Sequence, residues 1–125
     1  MSADAQAMNT PIDDDLLRYQ SVRLWLDNTP TTSLRPRDEQ ARRLELLRAY
    51  CVELGCDPDT LITNARGDAE VKNSYLKRLV GWAAALPGTA RARHDAENTI
   101  RGFFMRNGFR VVARPYRDVY DRGKA

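Results

Sequence analysis

The segment from Thr89 to Gly108 constrains the fold most, because it carries both end signals of a long helix. Thr89 is a good N-cap residue, and Gly108 stands where a glycine commonly ends a helix. At about 100° per residue, apolar side chains collect on one side of this helix. They are Ala92, Ala96, Ile100, Phe103 and Phe104. The stripe predicts a helix that packs against a core supplied by other elements.

The opposite side of this helix is polar and is predicted to be exposed. It carries Arg91, His94, Asp95, Asn98, Arg101, Gly102 and Met105. Arginine, histidine and asparagine can reach phosphates and base edges. A glycine inside a helix costs about 1 kcal/mol relative to alanine, and close approach by a partner is one reason to keep Gly102. A side of mixed charge is also typical of a helix that simply faces water, so periodicity alone leaves both interpretations open.

Apolar residues at helical spacing predict three more helices and no regular strand. The first spans about residues 14–27. The second spans residues 36–54, and it is opened by Pro36 and ended by Gly55. The third spans about residues 69–86.

The stretch between the second and third predicted helices is rich in turn-forming residues. We expect a short turn through Leu61 and Ile62, capped by Asp59 or Thr60, and a loop over residues 64–67. Asp68 then stands as the N-cap of the third helix.

These elements predict an all-α fold, a small orthogonal bundle of four to five helices. The length of 125 residues favours one domain. We expect it to span residues 14–113, after a disordered tail at residues 1–13 and before a linker at residues 114–125. No apolar run approaches the 18 or so residues of a membrane span. The N-terminus lacks the pattern of a signal peptide, so a cytoplasmic protein is expected.

Cysteine and histidine content argues against a metal centre. The chain has two cysteines, Cys51 and Cys56, and one histidine, His94. A zinc site needs about four ligands, so we expect no metal site and no cofactor. Buried thiols in a reducing compartment are the simpler interpretation of the cysteines.

Positive charge is concentrated in the last third of the chain. Residues 87–125 carry nine basic and four acidic side chains, whereas residues 1–32 carry two basic and five acidic ones. Most of the basic residues are arginines, which suit phosphate and guanine recognition. A GC-rich genome would also favour arginine over lysine, but it does not explain the asymmetry. The distribution is compatible with a nucleic-acid partner, and periodicity and charge alone leave a polar surface that only faces water as the alternative.

The stretch TIRGFFMRNGFRVV, residues 99–112, resembles the last helix of the core-binding domain of tyrosine recombinases, the SAM-like N-terminal domain of phage integrases. That helix ends in a pattern of the type ΦRxFFxxxG, matched here by Ile100, Arg101, Phe103, Phe104 and Gly108. RRLELLRAYCVELGCDPDTL, residues 42–61, resembles the family's second helix. VRLWLDN, residues 22–28, resembles its first, and VKNSYLKRLVGWAAAL, residues 71–86, stands where the family places its third.

The resemblance implies one half of a clamp around duplex DNA, whose second and fourth helices approach the major groove near the crossover site. It also implies a separate catalytic domain that follows the linker. This chain lacks an H-x-x-R motif, because His94 is followed by Asp95, Ala96 and Glu97. Tyr116 and Tyr120 are expected to be linker residues. The chain itself is therefore expected to be non-catalytic.

The partners implied by the resemblance are double-stranded DNA, the catalytic domain of a parent recombinase and further recombinase protomers on DNA. Association with the nucleoid would follow. On the fourth helix the candidate DNA contacts are Arg91, Arg93, His94, Asn98, Arg101 and Arg106. On the second helix they are Arg35, Arg37, Arg42 and Arg43, where acidic neighbours could pair with the arginines instead. The alternative function is a small α-helical protein–protein interaction module without DNA binding.

Two further basic groups are weaker candidates. Lys72, Lys77 and Arg78 on the third helix are expected to face water. Arg110, Arg114 and Arg117 are expected to touch the DNA backbone from the linker.

Overall fold

A computed structural model of the protein describes residues 12–31 and 34–115. In those ranges the chain forms a short 3-10 helix at Leu16–Arg18, five α-helices and no strand. The helices are α1 (Gln20–Asp27), α2 (Pro36–Leu54), α3 (Pro58–Gly67), α4 (Ala69–Ala84) and α5 (Ala90–Arg106). The predicted all-α bundle is confirmed. No helix within the described ranges combines the length and the apolar character needed to cross a membrane.

Helix α5 packs against α1, α2 and α4. Its predicted apolar stripe is confirmed, because Ile100, Phe103 and Phe104 have no exposed surface. The Phe103 ring meets Trp25 of α1 edge-on with ring centres 5.5 Å apart. The Phe104 ring meets Tyr50 of α2 in the same way at 6.5 Å. Edge-to-face aromatic pairs of this kind add to the stabilisation that burial supplies.

The predicted ends of α5 and the predicted start of α4 are also confirmed. The Thr89 hydroxyl accepts a hydrogen bond from the Ala92 N–H at 3.0 Å. The Asp68 carboxylate accepts from the Glu70 N–H. Gly108 follows α5 with a φ of 95°, a backbone conformation that side chains with a Cβ rarely adopt. Helix α4 ends at Ala84, two residues before the predicted end.

The single helix predicted for residues 14–27 is wrong, because Tyr19 interrupts it with an extended backbone. The Tyr19 hydroxyl accepts a hydrogen bond from the Asp13 N–H at 2.8 Å. Beyond Tyr19, the start of α1 is capped from another helix. The Asp59 carboxylate of α3 accepts from the N–H groups of Gln20 and Ser21 and from the Ser21 hydroxyl. A cap supplied across the fold lets a new helix begin there.

The turn and loop predicted between residues 58 and 67 are also wrong, since this stretch forms α3. Asp57 is its N-cap and accepts from the Thr60 N–H at 2.7 Å. Pro58 occupies the first turn, where its missing N–H costs nothing. Leu61, Ile62 and Ala65 are buried on one side of the helix. The hydrophobic burial of that side outweighs the weak helix propensity of the polar and glycine residues around it.

The two cysteines lie together where α2 ends. Gly55 has a φ of 77°, and its N–H donates to the Val52 carbonyl at 3.2 Å. The Cys56 N–H reaches back to the Cys51 carbonyl at 3.2 Å, which completes a Schellman motif. Side chains at these two positions of the motif commonly make an apolar contact. Both cysteines are buried and free, and burial raises the pKa of each thiol.

Packing begins slightly before residue 14. Ile12, which the sequence assigned to the tail, is partly buried against the core. The Arg48 guanidinium of α2 donates to the backbone carbonyls of Asp13 at 2.8 Å and Asp14 at 2.6 Å. These bonds fix the start of the domain to α2. The rest of the expected tail, residues 1–11, lies outside the described residues.

We expect Asp59→Ala to lower the free energy of unfolding by about 1–2 kcal/mol, because α1 loses its cap from α3. Asp59→Asn keeps an acceptor oxygen in place and should lose less. Urea denaturation followed by circular dichroism measures both variants. Equal stability of the wild type and Asp59→Ala would contradict this assignment of the cap.

We expect neither thiol of the native protein to react with a disulfide reagent at about pH 8. Both thiols are buried, and a raised pKa keeps them protonated. The measurement is the rate at which the reagent releases its coloured product, with and without denaturant. Both thiols should react fast once the chain is unfolded, and fast reaction of the native protein would contradict the packing at the end of α2.

Candidate nucleic-acid interface

One candidate DNA contact from each of the two helices lines a shared groove. This cleft, the α2–α5 groove, has a volume of about 320 Å³. Its lining residues come from α1 and the turn after it, from α2 and from α5: Trp25, Thr29, Arg43, Asp95, Asn98, Thr99 and Gly102. Of the predicted contacts, the groove brings Arg43 and Asn98 together.

Gly102 opens the groove to the indole of Trp25. A Cβ at Gly102 would lie 3.7 Å from the Trp25 ring nitrogen, which is ordinary van der Waals contact. Alanine would therefore fit without displacing its neighbours. The absence of a side chain leaves room in the groove at Gly102, for which close approach by a partner was one of the two interpretations left open by the sequence.

The first turns of α5 carry two of the predicted arginines in different settings. Arg91 is exposed, and its Nε lies 3.3 Å from the Asp95 carboxylate one turn later. Arg93 is partly buried and donates to the carbonyl of Gly88 at 2.6 Å, which ties the helix to the preceding loop. Arg106, at the far end of α5, is exposed. Of the predicted contacts on α5, Arg91 and Arg106 are therefore the exposed ones.

Arg101 is not exposed, although the sequence predicted that it would be. Its side chain retains only 14% of its accessible surface, and its Nε donates to Glu97 Oε2 at 2.8 Å. The Glu97 side chain is itself 8% exposed. The helical wheel placed Arg101 on the outer side of α5, but another part of the chain lies over the ion pair. A second arginine, Arg114, donates to the same carboxylate oxygen at 3.0 Å.

The segment that covers this side is the strap, residues 109–115, which runs back along α5. Its first half is held by the core, since the Phe109 ring meets Phe104 edge-on at 5.9 Å and Val111 is buried. Its second half is bound at Arg114, which the sequence placed at the start of a linker and expected to touch DNA. Here Arg114 contacts α5 through its backbone and its side chain.

Asn98 and His94 bind the Arg114 backbone. Asn98 Oδ1 accepts from the Arg114 N–H at 2.8 Å, and Asn98 Nδ2 donates to the Arg114 carbonyl at 2.7 Å. His94 Nε2 lies 2.6 Å from the same carbonyl, a contact that requires the proton on Nε2. Three candidate contacts, His94, Asn98 and Arg101, are thus engaged within the domain. The partner that sequence reasoning missed is Glu97, for which the spacing of four residues to Arg101 was the available signal.

The four candidate arginines on the second predicted helix differ in exposure. Arg35, Arg37 and Arg42 are exposed. Arg43 is partly buried, and its Nη2 donates to the Pro30 carbonyl at 3.0 Å and approaches Glu39 at 3.4 Å. Its Nη1 is buried and has no hydrogen-bond partner among the described residues. Arg43 therefore anchors the turn after α1. Its approach to Glu39 agrees with the alternative that acidic neighbours could pair with these arginines.

The remaining basic candidates lie away from the groove or outside the described residues. On α4, Lys77 is exposed, and Arg78 donates to the Glu53 carbonyl of α2 at 2.8 Å. Arg117, Tyr116 and Tyr120 lie outside the described residues. Within residues 12–31 and 34–115, no three His, Cys, Asp or Glu side chains are grouped so that they could hold a metal ion.

No family model, curated protein or solved structure matches this chain. The resemblance to the core-binding domain of tyrosine recombinases therefore stays a prediction from the motifs.

We expect Arg101→Glu to destabilise the fold by about 2–4 kcal/mol, because it places a second carboxylate beside the buried Glu97. Arg91→Glu is the matched control on the same helix. It loses only an exposed ion pair and should cost less than about 1 kcal/mol. Thermal and urea denaturation measure both. Equal losses in the two variants would contradict the buried position of Arg101.

Proposed function

We propose that this chain is a DNA-binding domain without catalytic activity, of the kind with which a tyrosine recombinase holds duplex DNA near its crossover site. The observation that carries the proposal is the α2–α5 groove. It joins Arg43 of α2 and Asn98 of α5, which come from the two helices that the resemblance directs to the major groove. The cluster of positive charge in residues 87–125 supports the same function.

The exposed arginines of α2 and α5 and the amide of Asn98 suit different tasks on DNA. The exposed arginines Arg35, Arg37 and Arg42 surround the first turns of α2, where backbone N–H groups also favour anions. Arg91 lies in the first turn of α5. These groups would bind phosphates and set the orientation of the domain. Asn98 would supply base recognition, since asparagine pairs with adenine through both of its amide atoms.

The proposed partners are double-stranded DNA, the catalytic domain of a parent recombinase and other recombinase protomers on the same DNA. Strand cleavage and rejoining would belong to that catalytic domain. The present domain would add affinity for the DNA and would position the DNA for that catalytic domain.

One observation favours the second candidate function, a protein–protein interaction module. An apolar groove of about 470 Å³ runs between the 3-10 helix, α1 and α2, and Leu17, Leu26 and Leu44 line it. Leu17 is 48% exposed there. A partner in this groove would depend on apolar side chains and hardly on the arginines of α5.

We expect the full chain to bind labelled duplex DNA weakly, with an affinity that falls steeply between about 50 mM and about 200 mM salt as phosphate counterions are released. Arg42→Glu and Arg91→Glu should each weaken binding about tenfold at the lower salt and flatten the salt dependence. Fluorescence anisotropy measures the affinity, and circular dichroism checks that each variant is folded.

Lys77→Glu is the matched control, because it makes the same charge change at an exposed position of α4. It should weaken binding less than about twofold. Leu17→Ser in the apolar groove should leave DNA affinity unchanged. Absence of DNA binding at low salt would contradict the proposal, and so would an equal loss in Lys77→Glu and Arg91→Glu.

A further inference from the structure

We propose that the strap closes the polar side of α5 and that DNA can use His94 and Asn98 only after residues 112–115 have detached. This inference rests on the proposed DNA binding and adds a regulatory step to the same site. The strap would act as an autoinhibitory contact built into the domain.

The first argument is that the strap and a base edge need the same atoms of Asn98. Asn98 Oδ1 accepts from the Arg114 N–H and Asn98 Nδ2 donates to the Arg114 carbonyl. Adenine offers the same pair of groups in the major groove, a donor at N6 and an acceptor at N7. One residue of the strap backbone therefore occupies Asn98 in the way that an adenine edge would. The two interactions exclude each other.

The second argument concerns charge. With the strap in place, one carboxylate oxygen of Glu97 accepts from both Arg101 and Arg114. Glu97 thus holds two guanidinium groups at a surface that would otherwise attract phosphates. Detachment leaves the Glu97–Arg101 pair intact and frees Arg114, whose side chain is 51% exposed even when bound. The open domain would present one more arginine to the DNA backbone.

The third argument is that the strap is anchored unevenly. Phe109 and Val111 lie in or against the core, whereas Val112 is 73% exposed and residues 113–115 are exposed as well. Beyond Val111, the strap is bound to α5 through the polar groups of Arg114. Residues 112–115 can therefore leave α5 while Phe109 and Val111 stay packed, so opening does not require the core to unfold.

The test compares substitutions in the strap and leaves α5 intact. Arg114→Ala removes the ion pair to Glu97. Arg114→Pro also removes the backbone N–H group that donates a hydrogen bond to Asn98 Oδ1. Lys77→Ala is the matched control, because Lys77 is exposed on α4, outside the strap, and its loss changes the charge equally.

If only a fraction of the molecules is open, the apparent DNA affinity equals the affinity of the open state multiplied by that fraction. We therefore expect Arg114→Pro to bind duplex DNA roughly three- to tenfold more tightly than Lys77→Ala at the same salt. Arg114→Ala should lie between the two. Without DNA, the side-chain amide signal of Asn98 in nuclear magnetic resonance spectra should shift in Arg114→Pro and stay in place in Lys77→Ala.

The outcomes separate the two proposals. If the wild type binds DNA and Arg114→Pro binds no more tightly than Lys77→Ala, the autoinhibitory role is wrong and DNA binding stands. If no variant binds DNA, the proposed function fails and the inference fails with it. Binding by Arg114→Pro alone supports both. If Arg114→Pro does not fold, the comparison of Arg114→Ala with Lys77→Ala decides, with the same expected direction.

Discussion

Packing of Phe103 and Phe104 between Trp25 and Tyr50 fixes the rotation of α5 about its own axis. The rings meet edge-on across three helices, and all four side chains are buried. Because interiors are packed as densely as organic crystals, a rotation of α5 would open cavities on one side and cause clashes on the other. The direction in which the polar side of α5 faces follows from this core. The α2–α5 groove and the docking surface of the strap both depend on it.

The polar side of α5 serves the domain as well as the proposed partner. Glu97, Arg101 and Arg114 form an ion cluster in which the carboxylate is nearly buried, and such a charge is tolerated only with partners that compensate its desolvation. Asn98 satisfies both amide groups on the backbone of the strap. These contacts are local to one residue of the strap, whereas the core holds the strap at Val111. Residues 112–115 could therefore detach from α5 while the core stays folded.

Sequence patterns predicted the long helices well because each carries apolar residues at helical spacing and clear end signals. Thr89 and Gly108 mark α5, and Gly55 ends α2. The same patterns failed at α3, where turn-forming residues hid a short helix whose stability comes from burial of Leu61 and its neighbours. They also failed at Tyr19, because the cap that starts α1 is Asp59, thirty-nine residues from Gln20 in the chain. Local propensity contains no information about a cap supplied from a distant helix.

By itself, the sequence determined that this protein is a small all-α bundle, which side of α5 is buried, and which polar residues share the other side. Periodicity and end signals decide these features, because they act within one helix. Only the tertiary structure decided that Arg101 is covered, that Arg43 and Asn98 line one groove, and that Arg114 binds His94 and Asn98. The physical reason is that accessibility and pairing depend on segments far apart in the chain. A helical wheel gives the direction of a side chain, and packing decides what it meets there.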